Sequence, residues 1–323
     1  MFNLEIKMIT LSKVPALLLM STVFATGTAQ ADVLDLSGLV GNANLYSLHN
    51  IVVGNNSIGG GIAAAGNISV SSHSVGTGAY GNYSVIAGNN FNYSNGSLAG
   101  GYYAGGTATI SSNINLPNTP ASAAPAMSFA STSSEVVKTS SAIGALAATG
   151  NARILNPYAP QQVTLSSGAG GAKSVEVFNM TASQFASINN LQSTLDSSIT
   201  KSLIFNVSGN ASWGNMGMGV LGGYNVLFNF TDATSVNFNG IQVLGSVLAP
   251  NALISGGNGG ITGTVVAGDW NSTLTLGNKA FVASDVAGFV SAVPEPETYA
   301  MLLAGLGLVG FAARRRKNKA AAA

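Results

Sequence analysis

"GSVLAPNALISGGNGGITGTVVAGDW", residues 245–270, contains one short pattern twice. "VLAPNALIS" (247–255) and "VVAGDWNSTL" (265–274) each run apolar residues into an alanine, then Pro or Gly, then a polar corner, then an alternating strand. Three more copies lie upstream: "IAAAGNISV" (62–70), "VIAGNNFNY" (85–93) and "YYAGGTATI" (102–110). The alanine anchors are Ala65, Ala87, Ala104, Ala249 and Ala267, and their local spacings are 22, 17 and 18 residues. A hairpin protein would show twin strands around two-residue turns. A period near 20 residues predicts coils that stack on one another instead. In that reading the small alanine fits a crowded inner corner and the glycine permits the turn. Asparagines after the glycine can then form a ladder between coils. The expected fold is mostly β, a right-handed β-solenoid; a β-sandwich with glycine-rich turns is the alternative that the pattern leaves open.

Two segments break the β pattern. Residues 126–148 place Phe129, Val136, Ile143 and Ala147 near one helical face, with Pro125 before and Gly150 after. Residues 182–199 carry a second apolar face of Phe185, Ile188, Leu195 and Ile199, and Thr181 with Gln184 reads as a capping box. The first helix is expected to flank the solenoid and cover apolar surface.

Composition narrows the function classes. Only 7% of the 323 residues are charged, against about 25% in an ordinary soluble domain. With 46% apolar residues and 41 glycines, the chain is not a disordered polyelectrolyte. It lacks the basic stripe that nucleic acid requires. Between residues 32 and 296, five basic and nine acidic residues leave a net charge of about −4. There is no cysteine, so backbone pairing and core packing must hold the fold.

Both ends look like addresses. Lys7 and Lys13 precede "VPALLLMSTVFATG", and Ala29 and Ala31 offer the small residues that a signal peptidase reads. Residues 1–31 are therefore expected to be a signal peptide. At the other end, "VPEPET" (293–298) is followed by the apolar "YAMLLAGLGLVGFAA" (299–313) and then by Arg314, Arg315, Arg316 and Lys317. Fifteen apolar residues give about 22 Å of helix. That makes a single C-terminal hydrophobic helix, with the arginines on the cytoplasmic side. The order of these parts over residues 293–319 resembles the PEP-CTERM sorting signal, with Pro294, Glu295 and Pro296 in its three named positions. The resemblance implies that an exosortase recognises the motif and removes the tail. The membrane would then be a partner only before processing.

Residues 225–270, with "NF-DAT", "GS-LAPNA" and a later "G-VVAG", resemble the signature of the choice-of-anchor A family. "VVGNNSIGGGIAAAGNISVSSHSVG" (52–76) is similar to that family's start, and the likeness covers roughly residues 36–285. It implies an adhesive bacterial surface domain, expected over residues 32–292, without enzymatic activity. The "GSVLAP" and "GTVVAG" pair also resembles ice-binding β-solenoids, which carry a flanking helix.

No catalytic site, metal site or cofactor is expected. The two histidines, His49 and His73, lie in Gly/Ser/Asn-rich stretches, and Asp35 is the only acid near either in sequence. They read as solvated or corner residues. Asp232 and Asp269 are isolated acids, and Asp232 in "FTDAT" reads as a turn cap. Tyr80, Tyr83, Tyr93, Tyr102 and Tyr103 crowd one stretch and are candidate glycan contacts through ring stacking. The expectation is an exported, non-enzymatic surface or extracellular-matrix protein. It would be an adhesin associated with exopolysaccharide or neighbouring cell surfaces in a biofilm. The alternatives are a polysaccharide-active β-helix enzyme, which would need acid pairs in a groove, and an ice-binding protein, which would need a flat Thr-rich face.

Overall fold

The computed structural model describes residues 32–112, 114, 116, 124–156 and 161–290. Strands dominate, and nearly all pair in parallel within three stacked columns. The first column runs Val175–Thr181, Ser202–Ser208, Asn225–Phe230, Ser246–Gly257, Val265–Ser272, Leu45–Ser47, Ile62–Ala64, Tyr83–Ala87 and Gly101–Ala104. The second begins with Ala211–Trp213 and Ser235–Asn239 and passes through the later halves of Ser246–Gly257 and Val265–Ser272. It continues with Ile51–Gly54, Ile68–Thr77, Phe91–Leu98 and Ala108–Ile110. The third holds Gln242–Val243, Gly260–Ile261, Thr275–Leu276 and Ser57–Gly60, then the far ends of Ile68–Thr77 and Phe91–Leu98.

Space does not follow sequence in this stack. The rungs from the second half of the chain come first, and the rungs nearest the N-terminus continue from them. The seam lies where Leu45 pairs with Val265 and Ile51 with Trp270.

The alanine row is confirmed with a shift of one residue. Ala249, Ala267, Ser47, Ala64, Ala87 and Ala104 share one register position, so Ala64 rather than Ala65 is the anchor of its block. The run "AAA" at 63–65 allows either frame, and strand pairing selects the middle alanine. Ala249, Ala267, Ala64 and Ala87 are fully buried.

Burial along the columns reports what covers them. Second-column strands alternate, as in Phe91–Leu98, where Phe91 and Tyr93 point inward and Asn92 and Ser94 outward. First-column strands are buried on both faces, as in Ile62–Ala64 and Asn225–Phe230. Such a strand reads as a continuous apolar run because something packs on its outer face. The cover is helical. A short helix α1 (Leu36–Leu39) and the longer α2 (Phe129–Gly144) lie on this side. Val136 and Ile143 of α2 are fully buried with Tyr46, Ile86, Leu227, Leu248 and Val266. Full burial of Val and Ile stabilises by roughly 1.5–3 kcal/mol each.

Helix α2 is shorter than residues 126–148. It starts at Ser128, whose side chain accepts from the Ser131 amide at 3.3 Å, and Ala147 is exposed beyond its end. The second expected helix is corrected further. Only α3 (Ala182–Ala186) is helical, and Ile188–Ser193 is a strand. The Thr181–Gln184 capping box forms as read. After it, Val163 and Leu165 pair in parallel with Leu191 and Ser193, so sheet pairing overrides the helical spacing. Gly150–Asn156, Gln161–Ser167 and Ile188–Ser193 thus form a small separate sheet.

The interior at this end of the stack is aromatic. Phe178, Phe205 and Phe228 stack across three rungs with centroids 5.1 and 5.2 Å apart. Phe185 of α3 meets Phe205 and Phe228 edge-on and stacks on Trp213 at 4.2 Å. Offset and edge-on pairs add about 0.5–1.5 kcal/mol each beyond area burial. Glycine is required where a rung turns tightly. Gly256 has φ +127°, and a β-carbon there would overlap the Phe238 carbonyl of the rung beneath.

Candidate functional site

Three polar systems run along the stack, each built because residues in register recur at a fixed spacing of about 4.8 Å. The first is an outer row on the second column. Ser212, Asn237, Ser255, Asn271, Val52, Ser69, Asn92 and Thr109 occupy successive rungs at one register position. On the inner rungs, as at Ser69 and Asn92, the neighbours on either side are buried, so these residues point outward. Asn237 donates to Ser255 Oγ at 3.0 Å within the row. The face carries hydroxyls and amides and one apolar residue, Val52. It is not Thr-rich, since only its last rung contributes a threonine.

The second system is a corner ladder, the arrangement expected for asparagines after glycine. Asp269 Oδ1 accepts from the Asn50 amide at 3.1 Å and from its Nδ2 at 3.2 Å. Asn50 Oδ1 accepts from the Asn67 amide at 2.9 Å, Asn67 Oδ1 from the Asn90 amide at 3.2 Å, and Asn90 Oδ1 from the Thr107 amide at 2.9 Å. Each side chain thus satisfies the corner N–H of the next rung, a donor the column pairing leaves free. At the head of the ladder His49 Nδ1 lies 3.0 Å from Asp269 Oδ2.

This adds an acid to the reading of His49, for which Asp35 is the only acid near in sequence. His49 has a carboxylate partner, Asp269, brought from the far side of the seam by stacking that sequence proximity does not reveal. The Ser47 hydroxyl, which accepts from the His49 amide at 3.2 Å, is fully buried and donates to the Gly268 carbonyl at 2.8 Å. The pair therefore pins the seam. His49 is exposed at its corner, as expected, whereas His73 is not solvated. It is 2% exposed, its Nδ1 accepts from the Asn56 amide at 3.0 Å, and burial pushes its pKa down to about 4. Asp232 caps as expected, accepting from the Gly209 amide at 2.8 Å, although the bond crosses to a neighbouring rung.

The third system escapes a reading by local pattern. Asn179, Asn206 and Asn229 stack on three rungs; Asn206 Nδ2 donates to Asn179 Oδ1 at 3.0 Å and Asn229 Nδ2 to Asn206 Oδ1 at 2.9 Å. The same amides hold the last turns of α2. Asn179 donates to the Leu146 carbonyl at 3.0 Å, Asn206 to Ile143 at 2.9 Å and Asn229 to Ser140 at 3.0 Å. The ladder thus ties three rungs to the end of α2, and the Ile143 carbonyl, which already accepts from the Leu146 amide at 3.1 Å, gains a second donor. The signal in the sequence is a triplicated "FN": "VFNMT" (177–181), "IFNVS" (204–208) and "LFNFT" (227–231).

The five tyrosines do not share a face. Tyr93 is corrected as a glycan contact: it is 2% exposed, its hydroxyl donates to the His73 carbonyl at 2.6 Å, and burial lifts its pKa to about 12. Tyr102 is half-buried against the inner core and meets the Phe91 ring at 5.6 Å. Tyr80, Tyr83 and Tyr103 are half-buried and pack on the opposite side, with the core under α2. Ala29, Ala31, Pro294, Glu295, Pro296, Arg314, Arg315 and Arg316 lie outside the described residues, as does the expected C-terminal helix. Among the described residues no three His, Cys, Asp or Glu side chains gather as a metal site, and no helix is long and apolar enough to cross a membrane.

Comparison with known families gives two matches. The model described as "Putative Ice-binding-like adhesive domain" matches residues 36–278, and that of the PEP-CTERM protein-sorting motif matches residues 292–317. No curated protein and no solved structure matches the chain. The sorting motif implies processing by an exosortase. Together the two matches suggest an exported, cell-surface protein, and the adhesive-like domain suggests a non-enzymatic one.

Proposed function

The chain belongs to the ice-binding-like adhesive domain family, and from that premise we propose that it is an adhesin of the extracellular matrix, associated with exopolysaccharide in a biofilm. The observation that carries this reading is the order of the two matched regions, an adhesive-like domain ahead of a sorting motif. The choice-of-anchor A resemblance supports it, since that family places adhesive domains before varied anchors. We propose further that the three columns are the sides of a right-handed β-solenoid over residues 32–292. Rungs about 17 or 23 residues apart bonded corner to corner support that winding. Residues 1–31 would be removed on export. The exosortase would read Pro294, Glu295 and Pro296 while residues 299–313, with Arg314, Arg315 and Arg316 behind them, hold the precursor at the membrane.

Two measurements test the reading. An epitope inserted after Lys319 should vanish from the mature surface protein in cells with an active exosortase; its retention makes the tail a permanent anchor. Deleting the protein should reduce cell aggregation and matrix retention on washed surfaces, and unchanged aggregation ends the adhesin assignment.

A further inference from the structure

A groove of about 490 Å³ opens where the N-terminal ends of the first-column strands meet the returning C-terminal segment. Lys201 and Lys279 both line it. That is two of the five basic residues between positions 32 and 290, a span with eight acids. Among the described residues neither lysine is in an ion pair, since the one such pair is His49–Asp269. Lys201 donates to the Ser197 carbonyl at 2.7 Å, which leaves two of its three donors, and, behind the Ser198 hydrogen bonds, its charge also helps to lower the Asp196 pKa.

The floor of the groove is rigid. Asn225 donates to the Val282 carbonyl at 2.8 Å and accepts from the Val282 amide at 3.0 Å, while Ser202 and Ser284 hydroxyls lie 2.8 Å apart. These bonds lock the returning segment across two rungs. The walls are apolar, with Val175 buried and Val282 63% exposed at the mouth. A smaller cavity of about 80 Å³ shares Tyr224, Asn225 and Lys279 and extends the groove toward the next rungs. Two lysines on a lining that also carries valines suit a ring that is apolar on its faces and carries an isolated carboxylate. The net negative charge of the rest of the chain disfavours a dense polyanion.

We propose that this groove binds a carboxylated sugar of an acidic polysaccharide, with Lys201 and Lys279 holding the carboxylate and Val282 packing against the ring. The assignment rests on the exopolysaccharide reading above and gives it a ligand class. Asp285, exposed on the groove lining, is placed to accept from sugar hydroxyls.

The test is fluorescence anisotropy of a labelled, otherwise neutral oligosaccharide that carries one glucuronic acid, with the full-length chain, in chelator, beside the same oligosaccharide methyl-esterified. The acid form should bind and the neutral ester should not, with affinity falling as salt rises. Lys201→Gln and Lys279→Gln should each weaken binding about tenfold, as loss of one partly exposed charge-assisted contact implies. Val282→Glu, at an exposed position that folding tolerates, should abolish binding by repulsion. The proposal is overturned if the double lysine variant binds as the parent does, if acid and ester bind alike, or if neither binds. Equal binding of the ester would leave the exopolysaccharide reading standing while removing this site. Absence of binding by either form removes the site, and the aggregation measurement then judges the broader reading independently.

Discussion

Replacing Asn229 by alanine tests the claim that an amide ladder docks helix α2. Asn229 is fully buried and makes three bonds: Nδ2 to the Ser140 carbonyl at 3.0 Å, Nδ2 to Asn206 Oδ1 at 2.9 Å, and Oδ1 from Ser140 Oγ at 2.7 Å. Each is worth about 1 kcal/mol net, and leaving buried partners unsatisfied costs about 1–3 kcal/mol more. Ser140 is itself only 1% exposed, so water does not readily replace the lost amide. The expected destabilisation is about 3–5 kcal/mol, read as a fall in urea midpoint at unchanged slope. Ser140→Ala should cost less, and the double variant should fall short of the sum by about 1–2 kcal/mol because one bond is shared. Hydrogen exchange should localise the effect to the last two turns of α2. A cost under about 1 kcal/mol, or strict additivity with Ser140→Ala, refutes the docking argument. Asn92→Ala, on the outer face, is the control and should stay within about 0.5 kcal/mol.

Burial holds the His73 pKa at about 4, below the ordinary 6.5, so the unfolded chain takes up the proton first. Stability from this group is therefore complete above pH 6.5 and is lost as pH falls toward 4, by up to about 3 kcal/mol. Urea midpoints at pH 7 and 4.5 should show that loss, and His73→Gln should lack it. Gly256→Ala forces a side chain onto φ +127° against a carbonyl and should cost at least about 2 kcal/mol in thermal unfolding, whereas Gly219→Ala, with nothing within 4 Å, should be near neutral. Ala249→Leu overpacks a fully buried corner and should cost about 1–3 kcal/mol; an unchanged melting temperature would remove the alanine row from the core.

What the sequence disclosed was whatever local chemistry encodes. The Ala-Gly corners, the alternating strands, the Thr181–Gln184 capping box and a ladder of asparagines near the glycine corners all follow from spacing within about one rung. The one-residue slip at Ala65 shows the limit of that logic, because "AAA" satisfies two frames and only pairing with Ala87 chooses. The strand at Ile188–Ser193 was illegible for a related reason. Its apolar residues fit either period, and its partner strand decides. The order of rungs was hidden altogether, since Asn50 and Asp269 meet across 219 residues. The lysine groove is likewise a product of stacking order, bringing together residues 201 and 279 that no motif joins.

The seam also sets a timetable. The N-terminal rungs present an open edge at Leu45–Ser47 that is filled only by Val265–Ser272. During synthesis the first hundred residues therefore emerge long before the strand that completes them. Folding dominated by such distant pairings is slow, because loop closure precedes any gain from contact. A stack whose seam joins residues 45–47 to residues 265–267 is complete only once both ends of the fold have been made.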